Sequence, residues 1–141
     1  MFIALNLTWT DGDSTFKFED NESFTTPFRK LSDKQENFSI GYDKGKFDIR
    51  LAMNSRGEYL DWLADEESDI DKVSLQNSRF VAPHEQWDLK ASYEINDNFR
   101  LKFEITNIED RPEYYYWGYN DRLSQYDEYG TSYAIGFTYN N

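Results

Sequence analysis

One periodicity constrains what this chain can fold into, and the period is two. Ile3, Leu5, Leu7 and Trp9 alternate with Ala4, Asn6, Thr8 and Thr10. Phe38, Ile40 and Tyr42 alternate with Ser39 and Gly41, and Phe47, Ile49, Leu51 and Met53 with Asp48, Arg50, Ala52 and Asn54. Trp87, Leu89, Ala91, Tyr93 and Ile95 alternate with Asp88, Lys90, Ser92 and Glu94. Phe99, Leu101, Phe103 and Ile105 alternate with Arg100, Lys102, Glu104 and Thr106, and Tyr133, Ile135, Phe137 and Tyr139 with Ala134, Gly136 and Thr138. Successive side chains of an extended chain point to opposite sides, so each segment reads as a strand with one wholly apolar face. The expected fold class is all-β, with about six strands.

The connections order those strands. Asp43-Lys44-Gly45-Lys46 and Asn96-Asp97-Asn98 are tight hairpin turns. The other three connections, roughly 11–36, 55–86 and 107–131, are far longer than a compact domain normally carries. Strict alternation of long and short predicts an antiparallel up-and-down meander with every long loop at one end. Within the second of these, Tyr59, Trp62, Leu63, Ile70 and Val73 follow a loose helical spacing. A helix is expected there, or a segment folded back over the sheet.

Composition narrows the function classes. The 141 residues make about one domain. With 11 Phe, 11 Tyr and 4 Trp the chain is too aromatic to be a disordered acidic protein. A net charge of −12 argues against nucleic acid as a partner, because phosphate would be repelled. Cysteine is absent, which removes disulfides and thiolate metal sites. No run of 18 apolar residues exists, so no transmembrane helix is expected. Met1 leads directly into Phe-Ile-Ala-Leu-Asn-Leu-Thr-Trp, which alternates instead of forming a signal peptide. The chain is expected either to stay in the cytoplasm or to be a piece of something longer.

Period two alone does not say whether the apolar face meets protein or lipid. A soluble, acidic, all-β ligand-binding module that recognises glycans is one expectation, with the apolar faces forming its core. Placement of the rings favours the other. Trp87 and Tyr93 bracket Leu89 and Ala91, and Tyr133 and Tyr139 bracket Ile135 and Phe137. Amphipathic rings at strand ends, with Trp9 among them, are what a membrane-interface belt requires. Single-chain membrane barrels need at least eight strands, so six would leave two unpaired edges in lipid. The expectation is therefore part of a larger barrel.

From Gln86 onward the order of segments becomes specific. Gln86-Trp87-Asp88-Leu89-Lys90-Ala91-Ser92-Tyr93 leads through Asn96-Asp97-Asn98 to Phe99-Arg100-Leu101-Lys102-Phe103-Glu104. Asn107-Ile108-Glu109-Asp110-Arg111-Pro112-Glu113-Tyr114 follows, and the chain closes on Tyr126 to Phe137 through Tyr129-Gly130. This resembles the last strands of a TonB-dependent outer-membrane receptor. The resemblance implies that residues 1–141 are the C-terminal part of a barrel of about 22 strands. The plug and most of the barrel would lie elsewhere. It further implies active uptake of a nutrient across the bacterial outer membrane. The implied partners are the rest of the barrel, the plug, outer-membrane lipid and a small nutrient ligand. Such barrels usually finish on an aromatic residue, whereas here Tyr139 is followed by Asn140-Asn141.

Catalytic chemistry is not expected. His84 is the only histidine, which excludes a His-based triad and a multi-histidine metal centre, and it reads as a loop residue beside Pro83. Asp11-Gly12-Asp13 and the stretch from Asp65 to Asp71 lack the full calcium-loop spacing, so neither metal nor cofactor is expected. Asp88, Lys90, Glu94, Arg100, Lys102 and Glu104 read as cross-strand charge pairs.

The remaining concentration of chemistry is Tyr-Tyr-Tyr-Trp-Gly-Tyr-Asn-Asp, residues 114–121, which reads as a loop. Tyr115, Trp117 and Tyr119 could stack on a sugar face or a flat chelate, with Asp121, Arg122 and Gln125 supplying hydrogen bonds. The alternative is that these rings pack on one another and on neighbouring loops. The resemblance places oligosaccharide ahead of siderophore as the ligand.

Overall fold

A computed structural model describes residues 1–17, 23–64 and 74–140. Every regular element among them is a strand. In chain order these are β1 Phe2–Trp9, β2 Asp13–Lys17, β3 Ser23–Pro27, β4 Lys34–Lys44, β5 Phe47–Arg56 and β6 Tyr59–Ala64. There follow β7 Ser74–Val81, β8 His84–Asn96, β9 Phe99–Thr106, β10 Glu113–Trp117, β11 Leu123–Asp127 and β12 Ser132–Tyr139. Every pairing is antiparallel.

The six alternating segments form one sheet in the order β1-β4-β5-β8-β9-β12. The expected tight turns join β4 to β5 at Gly45 and β8 to β9 at Asp97-Asn98. Gly45 has φ 62°, a conformation that costs glycine nothing. The count of about six strands is corrected to twelve, because the long connections are built of strands. β11-β10-β7-β6 make a four-stranded sheet and β2-β3 a hairpin. His84 is likewise a strand residue, opposite Arg56, and not a loop residue.

The expected helix is also corrected. Tyr59, Trp62 and Leu63 lie on β6, while Ile70 and Val73 fall outside the described residues. The physical reason is irregular pairing: the β6–β7 register shifts between Leu60 and Trp62 and again between Trp62 and Ala64. A bulge breaks period two locally, and the resulting spacing imitates a helix.

Register fixes the two faces of the six-stranded sheet. Ile3, Ile40, Leu51, Leu89, Ile105 and Tyr133 stand side by side across all six strands. This apolar face is uncovered, with Ile3 61% exposed at one edge and Ile135 79% at the other. The buried hydrophobics, Leu60, Leu63, Ala64, Val81 and Tyr116, all belong to the four-stranded sheet. On the opposite face two of the expected charge pairs form, Lys90 with Glu104 at 2.6 Å and Arg100 with Glu94. The expectation is corrected for Asp88, which stands opposite Ala52 and accepts from the Asn107 N–H, and for Lys102, which stands opposite Ser92 and Gly136. There the Phe2 ring covers Gly41, beneath the Arg50 guanidinium at 4.9 Å. β1 and β12 are edges and do not pair with each other, so the sheet is open and does not form a closed barrel.

The belt residues follow a pattern in this register. Near the ends that carry the long connections stand Trp9, Trp87 and Tyr133. Trp87 shares a row with Leu5 and Tyr133 with Ile3, so this band slips toward the tight-turn end from β1 to β12. Tyr42, Tyr93 and Tyr139 form a second band near the tight turns. Tyr42 shares a row with Ala91 and Ile135, so this band slips the same way. Both bands drift by about one residue per strand. With ~3.3 Å per residue and ~4.8 Å between strands, parallel bands of this slope correspond to strands inclined by about 35°.

Candidate functional site

The long connections gather at one end of the six-stranded sheet, and there the smaller sheets build a second centre. Arg56 at the end of β5 ties the layers together. It donates to Ala82 O at 3.2 Å and pairs with Glu113 at 2.9 Å. Asn107 is a second tie. Its backbone N–H donates to Asp88 Oδ1 at 3.0 Å and its Oδ1 accepts from the Arg111 N–H at 2.9 Å. Its carbonyl accepts from the Thr131 hydroxyl at 2.8 Å.

The aromatic segment 114–121 is in part a strand, which corrects the loop reading. β10 carries Tyr114, Tyr115, Tyr116 and Trp117, and its alternation divides their work. Tyr114 and Tyr116 face the small core, their ring centroids 6.3 Å apart. Tyr116 is 5% exposed, stacks on Phe80 at 5.5 Å and donates its hydroxyl to Glu58. Leu60 and Leu63, with Phe24, Leu75 and Phe80 against them, complete this core. Sequence alternation gives no warning of it, because both sides of β10 are aromatic.

Tyr115 and Trp117 take the other side. The Arg79 guanidinium lies over the Tyr115 ring at 5.4 Å. Arg79 in turn donates from Nε to Asp61 at 2.7 Å. Trp117 meets Trp62 edge to face at 5.7 Å. Gln125 stands opposite Tyr115 on β11 and donates to Asp127 at 2.7 Å. Of the six residues expected to bind ligand, the fold thus brings Tyr115, Trp117 and Gln125 to one surface. Arg122 instead braces the β10–β11 turn, its guanidinium donating to Gln76 O at 3.0 Å. Tyr119 and Asp121 project from that turn, Tyr119 being 54% exposed.

Burial and the hydrogen bond to Glu113 push the Tyr115 hydroxyl up to about 12, and burial with the Glu58 bond raises Tyr116 further. The Asp127 carboxylate beside Tyr129 raises that hydroxyl too. All three stay protonated donors at neutral pH.

Beside this surface, between the β2–β3 hairpin and β6, lies a cleft of about 660 Å³. Phe16, Phe28, Arg29, Lys30, Asp61 and Trp62 line it. Trp62 and Asp61 therefore belong both to the cleft and to the Arg79–Trp117 surface. Sequence reasoning missed Asp61, Arg79, Phe16 and Phe28, and read Trp62 as part of a helix or of a segment folded back over the sheet. Lys30, in the cleft wall, has φ 60°, an uncommon conformation for a side-chain-bearing residue.

Among the described residues no group of three or more His, Asp or Glu side chains could hold a metal ion. Asp11 and Asp13 are among those residues, whereas the stretch from Asp65 to Asp71 falls outside them. Comparison with protein-family models, with curated proteins and with solved structures gave no match to this chain.

Proposed function

We propose that this chain is a section of the wall of an outer-membrane transport barrel, of the TonB-dependent receptor kind, with its small sheets on the outer side as the ligand-facing part. The observation that carries this reading is the pair of aromatic bands on an uncovered apolar face. Two bands parallel to each other, yet oblique to the hydrogen-bond rows, are what a flat lipid interface imposes on inclined strands. The slope of about 35° falls at the lower end of the tilt of membrane barrels, about 35–45°. A protein core would require no such obliquity. The two open edges, β1 and β12, are then where the rest of the barrel continues. The charged face, with Lys90–Glu104 and Glu94–Arg100, turns to the water-filled interior. In this reading the function is uptake of a small nutrient, an oligosaccharide ahead of a siderophore. Tyr115, Trp117 and Trp62 supply rings for stacking, and no step of catalysis is involved.

The four tryptophans make the test. Trp9 and Trp87 sit in the band near the long connections, whereas Trp62 and Trp117 sit in the four-stranded sheet. The chain is taken up in micelles of a brominated nonionic detergent, which cover the apolar face without requiring a closed barrel. Variants retaining only Trp9 and Trp87 should be strongly quenched, and variants retaining only Trp62 and Trp117 should not. Recovery of a monodisperse monomer without detergent, with a cooperative melt, would overturn the reading in favour of a soluble glycan-binding module.

A further inference from the structure

We propose that the cleft between the β2–β3 hairpin and β6 binds an anionic sugar, carrying a carboxylate or a sulfate, and not a neutral one. This rests on the receptor reading only for oligosaccharide as the ligand class. The argument begins from charge. Across the chain acids outnumber bases 27 to 15, yet the cleft lining reverses that balance. Among the described residues its lining contains two cations, Arg29 and Lys30, and one acid, Asp61. Asp61 is paired with Arg79, whose Nε donates to it at 2.7 Å. Among the described residues neither Arg29 nor Lys30 has an acidic side chain within ion-pair distance. Among the described residues, two cations without an acidic partner thus line the cleft of a chain whose net charge is −12.

Shape and apolar lining supply the rest. Phe16, Phe28 and Trp62 give ring faces for the C–H side of a pyranose, and about 660 Å³ accommodates a short oligomer. Ser14 and Thr26 add hydroxyls. Lys30 is held in its uncommon backbone conformation by its N–H, which donates to Leu60 O at 2.7 Å. The backbone that carries this cation is thus anchored to β6. Arginine suits the ligand further, because its planar fork matches a carboxylate or sulfate in two hydrogen bonds.

Calorimetric titration of the full chain in nonionic detergent tests this, using oligogalacturonate, a sulfated galactan oligomer, a neutral galactan oligomer and inorganic sulfate. At least one anionic oligomer should bind more tightly than the neutral one. That affinity should fall about tenfold or more in Arg29→Gln/Lys30→Gln and weaken with added salt. Trp62→Ala should weaken every oligomer. Because Trp62 adjoins the core, Arg29→Gln alone, at an exposed turn, keeps the test valid if that variant fails to fold. Equal affinity for the neutral oligomer, no binding at all, or no loss in the double variant overturns the proposal. Inorganic sulfate that binds as well as the sugars would overturn it as well. Quenching of Trp9 and Trp87 by detergent bromine reads the receptor assignment separately. A chain that embeds but ignores acidic sugars sinks this inference alone, and one that binds them without embedding sinks only the assignment.

Discussion

Trp62 on β6 and Trp117 on β10 meet edge to face, ring centroids 5.7 Å apart and planes at 87°. They reach each other across β7, whose Arg79 is the register partner of both. Edge-to-face pairs contribute about 0.5–1.5 kcal/mol beyond the area they bury. A double-mutant cycle of Trp62→Ala and Trp117→Ala should return a coupling of that size, measured by urea unfolding. Additive single effects would mean that the rings touch without holding the sheet.

Two glycines with nearly the same backbone angle should respond differently to alanine. Gly118 has φ 64° and an added Cβ would stand 2.2 Å from the Gln76 carbonyl oxygen. Gly45 has φ 62° and nothing within 4 Å. Gly45→Ala should cost only the left-handed strain, about 1–2 kcal/mol. Gly118→Ala should cost clearly more, because backbone must move and the bond from the Gly118 N–H to Ser78 O at 2.9 Å would be disturbed. Hydrogen exchange of β7 and β10 reads the difference. Equal protection in both variants contradicts it.

Asn107 satisfies several backbone groups from a positive φ of 57°. Asn107→Ala strands the Arg111 N–H and keeps the strain, for a loss of about 2–3 kcal/mol. Asn107→Gly relieves the strain but not the lost bonds, and should fall between wild type and alanine in thermal unfolding. A glycine variant as unstable as alanine would show that strain is not part of the cost.

Alkaline titration gives a fourth expectation. The folded state holds the protons of Tyr115 and Tyr116 more tightly than the unfolded chain does, chiefly through burial. Below about pH 10 both states bind these protons, so the stability they confer is fully present. From there it should decline toward pH ~12 as the unfolded chain ionises first. Tyrosinate absorbance should therefore show a late class of tyrosines, and Tyr116→Phe should remove one member of it. A single early transition for all tyrosines would contradict the burial of these two.

What sequence could disclose tracked the contrast between the two sides of each strand. On β9, and on β5 from Phe47 to Met53, apolar residues alternate with polar or small ones, so period two stands out and the tight turns add register. β10 offers no such contrast, because Tyr116 enters the core with Tyr114 half-buried on the same side, while Tyr115 and Trp117 face the other way. β6 conceals itself by bulging, which places both Leu60 and Leu63 inside. Tyr115, Trp117 and Gln125 could be named because aromatic and amide residues cluster in one stretch. Asp61 and Arg79 could not, since their pairing spans two strands and exists only after β6, β7 and β10 align.

The two tight turns also set a timetable. β4 with β5, and β8 with β9, make contacts close in sequence, and such hairpins close in about 1–10 μs. Bringing β5 to β8 instead demands that a long intervening segment be closed, at an entropic cost that grows with its length. The pairing of β6 with β7 inside that segment draws its ends together and lowers that cost. The expected order is two ribbons first, their lateral zipping next, and β1 and β12 last as margins. Pulse-labelled hydrogen exchange should find the β4–β5 and β8–β9 amides protected before those that join β5 to β8. On this account the chain is modular in time: each hairpin is a unit whose completion precedes, and does not await, the sheet that contains it.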